Sequence, residues 1–461
     1  MTIYFTRLID WAAGTKYRAQ DFDAEFDNVS NAFELVGAQI DAAALSVTTA
    51  GSNTTSTTSN SIGTGSKTWT VETSKSLVVG MHYKMADTAS PSNWALGLIT
   101  AYNSSTGSLT INVSDTSGSG TITAWTGSIA SPITRTMTRR AVTGADTVAA
   151  SDIAGLIDIT SGTFTLAYTA AAALGSGFWC VVRNSGTGDV THDPASSETI
   201  DGLTSFVMYP GEARLIQCDG TAFRSVVLSG FNKTFTASGT FTKPPGYNAF
   251  GMLLWGAGAS GGKGDGSTQA GGGGGGACFS GTIPASAVST TESVTIGSGG
   301  VAVTASVTAG NVGGNSSFGS LITSYGGGGN SIVGGGGGGL KSAGSSATGG
   351  TPAELFNGGG TGGSSAAGTA SYYGGGGGGG GSTDAAYAGG ASIYGGGGGG
   401  NAPATTAGAG GTSVFGGAGG AGGVATNGTA GTAPGGGGGA TKSGAQSGAG
   451  ARGELRIWGI A

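Results

Sequence analysis

Ala370-Ser371-Tyr372-Tyr373-Gly374, Ala391-Ser392-Ile393-Tyr394-Gly395 and Thr412-Ser413-Val414-Phe415-Gly416 recur at a spacing of 21 residues, each ending in an aromatic residue and a glycine. Gly313-Gly314-Asn315-Ser316-Ser317-Phe318-Gly319 is an earlier, less regular copy. Fixed spacing marks a repeated structural unit, because a tether has no reason to keep time. Around these units lie near-pure glycine runs: Gly271–Gly276, Gly326–Gly329, Gly334–Gly339, Gly374–Gly381, Gly395–Gly400 and Gly435–Gly439. A glycine run has no side chain to bury, so it supports neither a helix nor an ordinary sheet core. Two outcomes are physically open. The runs are either flexible Gly/Ser-type linkers or extended, left-handed helices packed side by side, where only glycine lets backbones meet. The scarcity of serine within the runs, their similar lengths and the 21-residue beat favour order. Residues 231–461 are therefore expected to be a glycine-rich domain of packed polyglycine II helices with flanking β-strands. Glu454-Leu455-Arg456-Ile457-Trp458 is expected to close it beside Phe250–Trp255.

Upstream, residues 131–230 read as strands at 155–159, 163–166, 178–182 and 214–218, separated by turn chemistry such as Asn184-Ser185-Gly186 and Asp219-Gly220. A β-sandwich-like or jelly-roll module is the expected closure. Residues 46–130 form another small β domain, in which Lys67–Glu72 and Ser108–Val113 alternate with period two. Residues 1–45 hold a helix whose apolar positions Phe22, Phe26, Val29, Phe33, Val36 and Ile40 step by 4, 3, 4, 3 and 4. That is a heptad seam and predicts a short, coiled-coil-like oligomerising helix. The alternative is a helix packed on its own chain's core. The fold class is thus mainly β and modular, a succession of small domains.

Of 461 residues, 101 are glycine, and charged residues make up only 9% with a formal net charge of −5. The chain lacks a basic field for phosphate backbones, so nucleic acid is not an expected partner. No apolar stretch approaches the ~20 residues that span a bilayer, so membrane insertion is not expected either. The first residues lack a secretory pattern, which leads to the expectation of synthesis in a cytoplasm. Cys180, Cys218 and Cys278 read as buried free thiols, with a Cys180–Cys218 contact left open.

Enzymatic readings find little support. Glycoside cleavage needs two carboxylates at a set distance, and the glycine-rich region offers only Asp265, Glu292, Glu354, Asp384 and Glu454. Gly258-Ala-Ser-Gly-Gly262 matches G-x-S-x-G, but in glycine-rich sequence the match carries almost no information. In Gly63-Thr-Gly-Ser-Lys67-Thr, Ser66 stands where a phosphate loop requires glycine. His192 with Asp189 and Asp193 reads as a turn between strands, since a metal needs three or four convergent ligands. No catalytic residue, metal or cofactor is expected.

Gly63–Thr73, Thr88–Trp94 and Ile99–Val113 resemble a β module common in phage tail fibres, and Leu156–Thr160, Val182–Gly188 and Glu198–Gly202 resemble a second one. Gly239-Thr-Phe-Thr-Lys-Pro-Pro-Gly246, Gly313–Leu321 and Gly450–Trp458 are similar to the glycine-rich C-terminal domains of phage fibres and adhesins. The resemblance covers about four fifths of the chain. It implies a virion component, commonly a homotrimer, joined to other phage tail proteins through its N-terminal segment and binding a bacterial surface receptor (LPS, capsule or outer-membrane protein). In one adhesin type the glycine runs are packed polyglycine helices carrying variable receptor-binding loops. The connecting segments 340–357, 382–393, 401–413 and 424–434 are the corresponding loops here. Leu340, Lys341, Glu354, Leu355, Phe356, Asp384 and Tyr387 are their candidate receptor contacts. Tyr373, Tyr394 and Phe415 read as structural plugs or, alternatively, as sugar-stacking platforms. The competing functions are a linker contacting other virion proteins and, more remotely, a capsule or LPS depolymerase.

Overall fold

The computed structural model describes residues 26–27, 29–38, 51–132, 137–330, 332–351, 357–403 and 405–461. It is mainly β and divides into two compact units, Met1–Arg135 and Thr136–Ala461.

In the first unit, residues 29–38 are helical, and Phe26, Phe33 and Val36 of the seam are exposed while Val29 is half-buried. Phe22 and Ile40 lie outside the described residues. Six strands form one antiparallel sheet in the order Thr54–Ser56, Trp125–Ile129, His82–Asp87, Trp94–Asn103, Ser108–Ser117, Gly65–Thr70. The two segments whose alternation marks them as strands in the sequence pair with each other, Thr70 opposite Ser108 and Gly65 opposite Val113. Their alternation sends Trp69, Leu109, Ile111 and Val113 inward. There Trp69 meets Trp125 edge to face, with ring centroids 5.6 Å apart.

The second unit opens with two sheets over a shared core of Ile157, Leu166, Val182, Phe206, Ile216, Phe223 and their neighbours. Of the two expected closures, sandwich-like or jelly-roll, the strand pairing departs from the jelly roll. Leu156–Ile159 lies parallel to both Arg139–Val142 and Trp179–Asn184, and Phe164–Tyr168 parallel to both Asp146–Val148 and Val190–Asp193. The chain therefore coils, laying a strand in each sheet per turn. Phe206–Met208 and Ala213–Cys218 then add on antiparallel. Alternation reports which face of a strand is buried and says nothing of its neighbour's direction, so the sequence could not separate these topologies. Cys180 and Cys218 are free and buried, as is Cys278. Burial pushes the Cys180 thiol up to about 12.

This module and the glycine-rich region belong to one compact unit. Tyr209 stacks on Phe241 at 5.4 Å, donates its hydroxyl to Thr242 O at 3.1 Å and accepts from Thr242 N–H at 2.8 Å. Arg214, fully buried, binds Glu212 at 2.5 Å, Ser225 Oγ at 2.8 Å and Pro245 O at 2.7 Å.

Two four-stranded antiparallel sheets frame the glycine runs. One has the order Asn232–Phe235, Glu454–Ile460, Ala249–Trp255, Cys278–Pro284; the other Gly239–Thr242, Thr291–Thr295, Ser316–Phe318, Ile322–Ser324. The terminal strand does close beside Ala249–Trp255, pairing Trp255 with Glu454 and Ala249 with Ile460. Phe241, Phe250, Met252, Leu254, Phe318, Leu455 and Ile457 fill the core between them.

Candidate functional site

The run Gly271–Gly276 shows how the glycines are ordered. Its amides donate in rotation to three different neighbours. Gly272 and Gly275 bond to Gly379 and Gly376, Gly273 and Gly276 to Gly438 and Gly435, and Gly274 and the following Ala277 to Gly328 and Tyr325. Its carbonyls accept in the same rhythm: Gly271 and Gly274 from Gly262 and Ala259, Gly272 and Gly275 from Gly335 and Gly338, Gly273 and Gly276 from Gly399 and Gly396. The twelve N···O distances are 2.8–3.0 Å. Every third residue returns to the same neighbour, which is the period of an extended backbone with three residues per turn.

Glycine is a steric requirement here. A methyl group on Gly274 would overlap the Gly336 carbonyl oxygen, and one on Gly275 the Gly396 carbonyl oxygen. Side-chain burial adds little, since Ala270, Ala402 and Ala440 form the only apolar cluster inside the lattice among the described residues. Cohesion comes from backbone hydrogen bonds, each contributing about 1 kcal/mol net and costing more if buried and unmade.

The lattice sends its connections to two ends. Gly338 pairs with Gly275, close to where that run enters the strand Cys278–Pro284, so the chain emerges beyond Gly339 at the sheet end. Gly379 pairs with Gly272, so the chain beyond Gly381 emerges at the opposite, distal end. Six residues of such a run separate the ends by roughly 19 Å. The candidate contacts are therefore split. Leu340, whose N–H donates to Asn357 O at 3.0 Å, and exposed Lys341 lie at the sheet end. Exposed Asp384 and half-buried Tyr387 lie at the distal end. Glu354, Leu355 and Phe356 fall outside the described residues.

Local hydrogen bonding fixes the distal turns. Asn401 accepts the Tyr387 N–H at 2.8 Å on Oδ1 and donates from Nδ2 to Gly380 O at 2.7 Å and Ala385 O at 3.1 Å. Lys263, nearly buried, spans two turns by donating its ammonium to Gly444 O at 2.6 Å and Ala445 O at 2.9 Å. Thr268 N–H, with the Ser267 hydroxyl and N–H, holds the Asp265 carboxyl well below its ordinary value. Sequence reasoning passed over the turns 263–270, 303–308 and 441–446. The lone Lys263 among glycines was the one signal pointing to them. Exposed Ser267, Ser306, Ser365, Thr383, Thr406 and Ser443 make the distal surface rich in hydroxyls and poor in charge. Such a surface binds by hydrogen bonding and shape more than by ion pairing.

At the sheet end the periodic aromatics form a column. Tyr373 stacks on Tyr394 at 4.8 Å and Tyr394 on Phe415 at 4.6 Å, near-parallel in both cases. Beside them Ser371, Ser392 and Ser413 form parallel bridges, and each hydroxyl reaches one repeat back, to Gly358 O, Gly374 O and Gly395 O at 2.5, 2.8 and 2.6 Å. The facing rings occupy each other's inner faces, while Phe415 at the end of the column is exposed. The column is a staple that keeps successive runs in register.

The chance motifs find structural explanations. Ser260 Oγ is buried and accepts the Asn311 N–H at 2.8 Å. His192 lies in the strand Val190–Asp193, not in a turn, and its ring is fully buried between Tyr168 Oη at 2.6 Å and Met208 Sδ at 3.1 Å. Asp189 pairs instead with Lys233. Burial lowers His192 to about 3. Among the described residues no group of three or more His, Cys, Asp or Glu side chains is placed to hold a metal, and no helix is long and apolar enough to cross a membrane.

Comparison with known families places the glycine lattice in context. Residues 234–458 match the model of a family described as a glycine-rich domain. No curated protein matches the chain.

Proposed function

We propose that this chain is a phage tail-fibre or tail-tip protein whose glycine-rich region, a bundle of packed polyglycine II helices, presents loops that adsorb the virion to a bacterial surface. The observation that carries this reading is the rotation of hydrogen bonds around Gly271–Gly276, with connecting turns delivered to an end remote from the sheets. Loops on a rigid scaffold are where recognition is concentrated. Of the two ends, the distal one is favoured. The sheet end is occupied by strands and the aromatic staple, whereas the distal turns present hydroxyls to solvent. Asp384 and Tyr387 are the receptor contacts in this account; Leu340 and Lys341 lie too far from them to share one patch.

The exposed seam of Phe26, Phe33 and Val36 supports an oligomerising helix, with a homotrimer as the assembly and the N-terminal segment as the attachment to other tail proteins. Several copies per virion then raise avidity well beyond one loop's affinity. The test is competition: the purified full-length chain should reduce adsorption of the phage that carries it, and substituting Asp384 and Tyr387 together should abolish the effect. Failure of the intact chain to compete would indicate a linker that contacts other virion proteins.

A further inference from the structure

We propose that a groove on the first unit binds a neutral saccharide, at a site on a different unit from the distal loops. The groove has a volume of about 430 Å³, within the ~300–1,000 Å³ usual for small-ligand sites. Thr55, Thr57, Thr70, Thr88 and Thr126 line it with hydroxyls, and Glu72 supplies a single carboxylate. Buried Val71 and Trp125 close its floor.

The polar groups are partly fixed and partly open. Glu72 accepts the Thr55 N–H at 3.0 Å and the Thr55 hydroxyl at 2.6 Å, which sets the carboxylate in place. Thr88 and Thr126 hydroxyls lie 3.0 Å apart and share a bond. Thr57 and Thr70 are exposed. Each hydroxyl can donate and accept, while the ionised carboxylate only accepts. That set matches a polyol, whose hydroxyls also do both. No cationic side chain lines the groove, and Lys75 acts on Glu72 only from outside that lining, so a phosphate, sulfate or acidic sugar would meet the Glu72 carboxylate with little to offset the repulsion. Exposed Ala124 and the threonine methyl groups offer the C–H face of a pyranose ring its apolar contact.

The experiment is saturation-transfer NMR on the full-length chain with maltotriose, cellotriose and chitotriose as probes. At least one should give transfer, and Glu72→Gln and Thr126→Val should each weaken it about tenfold, the scale of a lost hydrogen bond to a charged or well-placed group. Tyr387→Ala should leave it unchanged. Near-ultraviolet dichroism from the Trp69–Trp125 pair checks that the variants are folded. The proposal is overturned if none of the three binds by about 10 mM, if binding survives both groove variants, or if only an anionic glycan such as colominic acid binds. Because the readout uses free trisaccharides and no cells, a chain that fails to block adsorption yet binds them sinks the adhesin reading and leaves this one standing.

Discussion

Trp255 donates its indole N–H to the carbonyl of Tyr394 at 2.6 Å, tying the last residue of a sheet strand to the middle of the aromatic column. The two residues are 139 positions apart in sequence. The Arg456 guanidinium lies over the Trp255 ring, 5.0 Å from its centroid. The sheet and the glycine lattice are therefore joined by a directed bond. Trp255→Phe keeps most of the apolar volume and removes the donor. It should destabilise the second unit by about 1–3 kcal/mol, the cost of leaving a carbonyl unmatched, read as a lower urea midpoint with an unchanged slope.

The glycine requirement has its own test. Gly275→Ala places a methyl against the Gly396 carbonyl oxygen, where the nearest atoms are all backbone and cannot swing aside. A loss of at least about 3 kcal/mol is expected, the upper range for overpacking. Gly144→Ala is the matched control, because a methyl there meets nothing within 4 Å. It should be neutral or stabilising by up to about 1 kcal/mol. Similar melting behaviour of the two variants would count against the lattice.

The buried pair of Glu212 and Arg214 joins the coiled β module to the glycine-rich region through Pro245 O. Arg214→Ala strands a buried carboxylate and should cost about 3–5 kcal/mol. Glu212→Gln, which keeps shape but removes charge, should cost less. Thermal unfolding of both variants checks the order.

His192 makes stability depend on pH in a defined direction. Its ring is neutral when buried, with a folded value of about 3, while the unfolded chain takes up a proton near the ordinary 6.5. The unfolded state thus binds more protons as pH falls, so the stabilisation is complete above 6.5 and is lost on acidification towards 3. The slope is up to about 1.4 kcal/mol per pH unit. Glu212, whose carboxyl is raised by burial, acts in the opposite sense. The informative quantity is therefore the difference between parent and His192→Gln. Urea midpoints of the parent should fall between pH 6.5 and 4.5 while those of the variant stay flatter.

Local pattern carried a large part of the fold into the sequence. The 21-residue beat marked Tyr373, Tyr394 and Phe415 as repeated structural positions, though not as a stack, and the strands read at 108–113, 250–255 and 454–458 lie within Ser108–Ser117, Ala249–Trp255 and Glu454–Ile460. What stayed hidden is what depends on partners distant in the chain. Nothing local to Leu156–Ile159 says that its neighbours run parallel. Nothing near Leu340 or Tyr387 says that the lattice carries them to opposite ends. That is decided by which run pairs with Gly338 and which with Gly379. The groove around Glu72 was likewise illegible, because its walls come from segments some 70 positions apart (Thr55 and Thr126) that meet only when Thr55 pairs with Thr126 across two strands.

Amide hydrogen exchange at Gly271–Gly276 tests the central claim most directly. If these glycines are the hub of a hydrogen-bonded lattice, their amides should be protected to the degree of the strand Ala249–Trp255 and open only with the whole unit. Exchange at the rate of an unstructured glycine peptide would contradict the account.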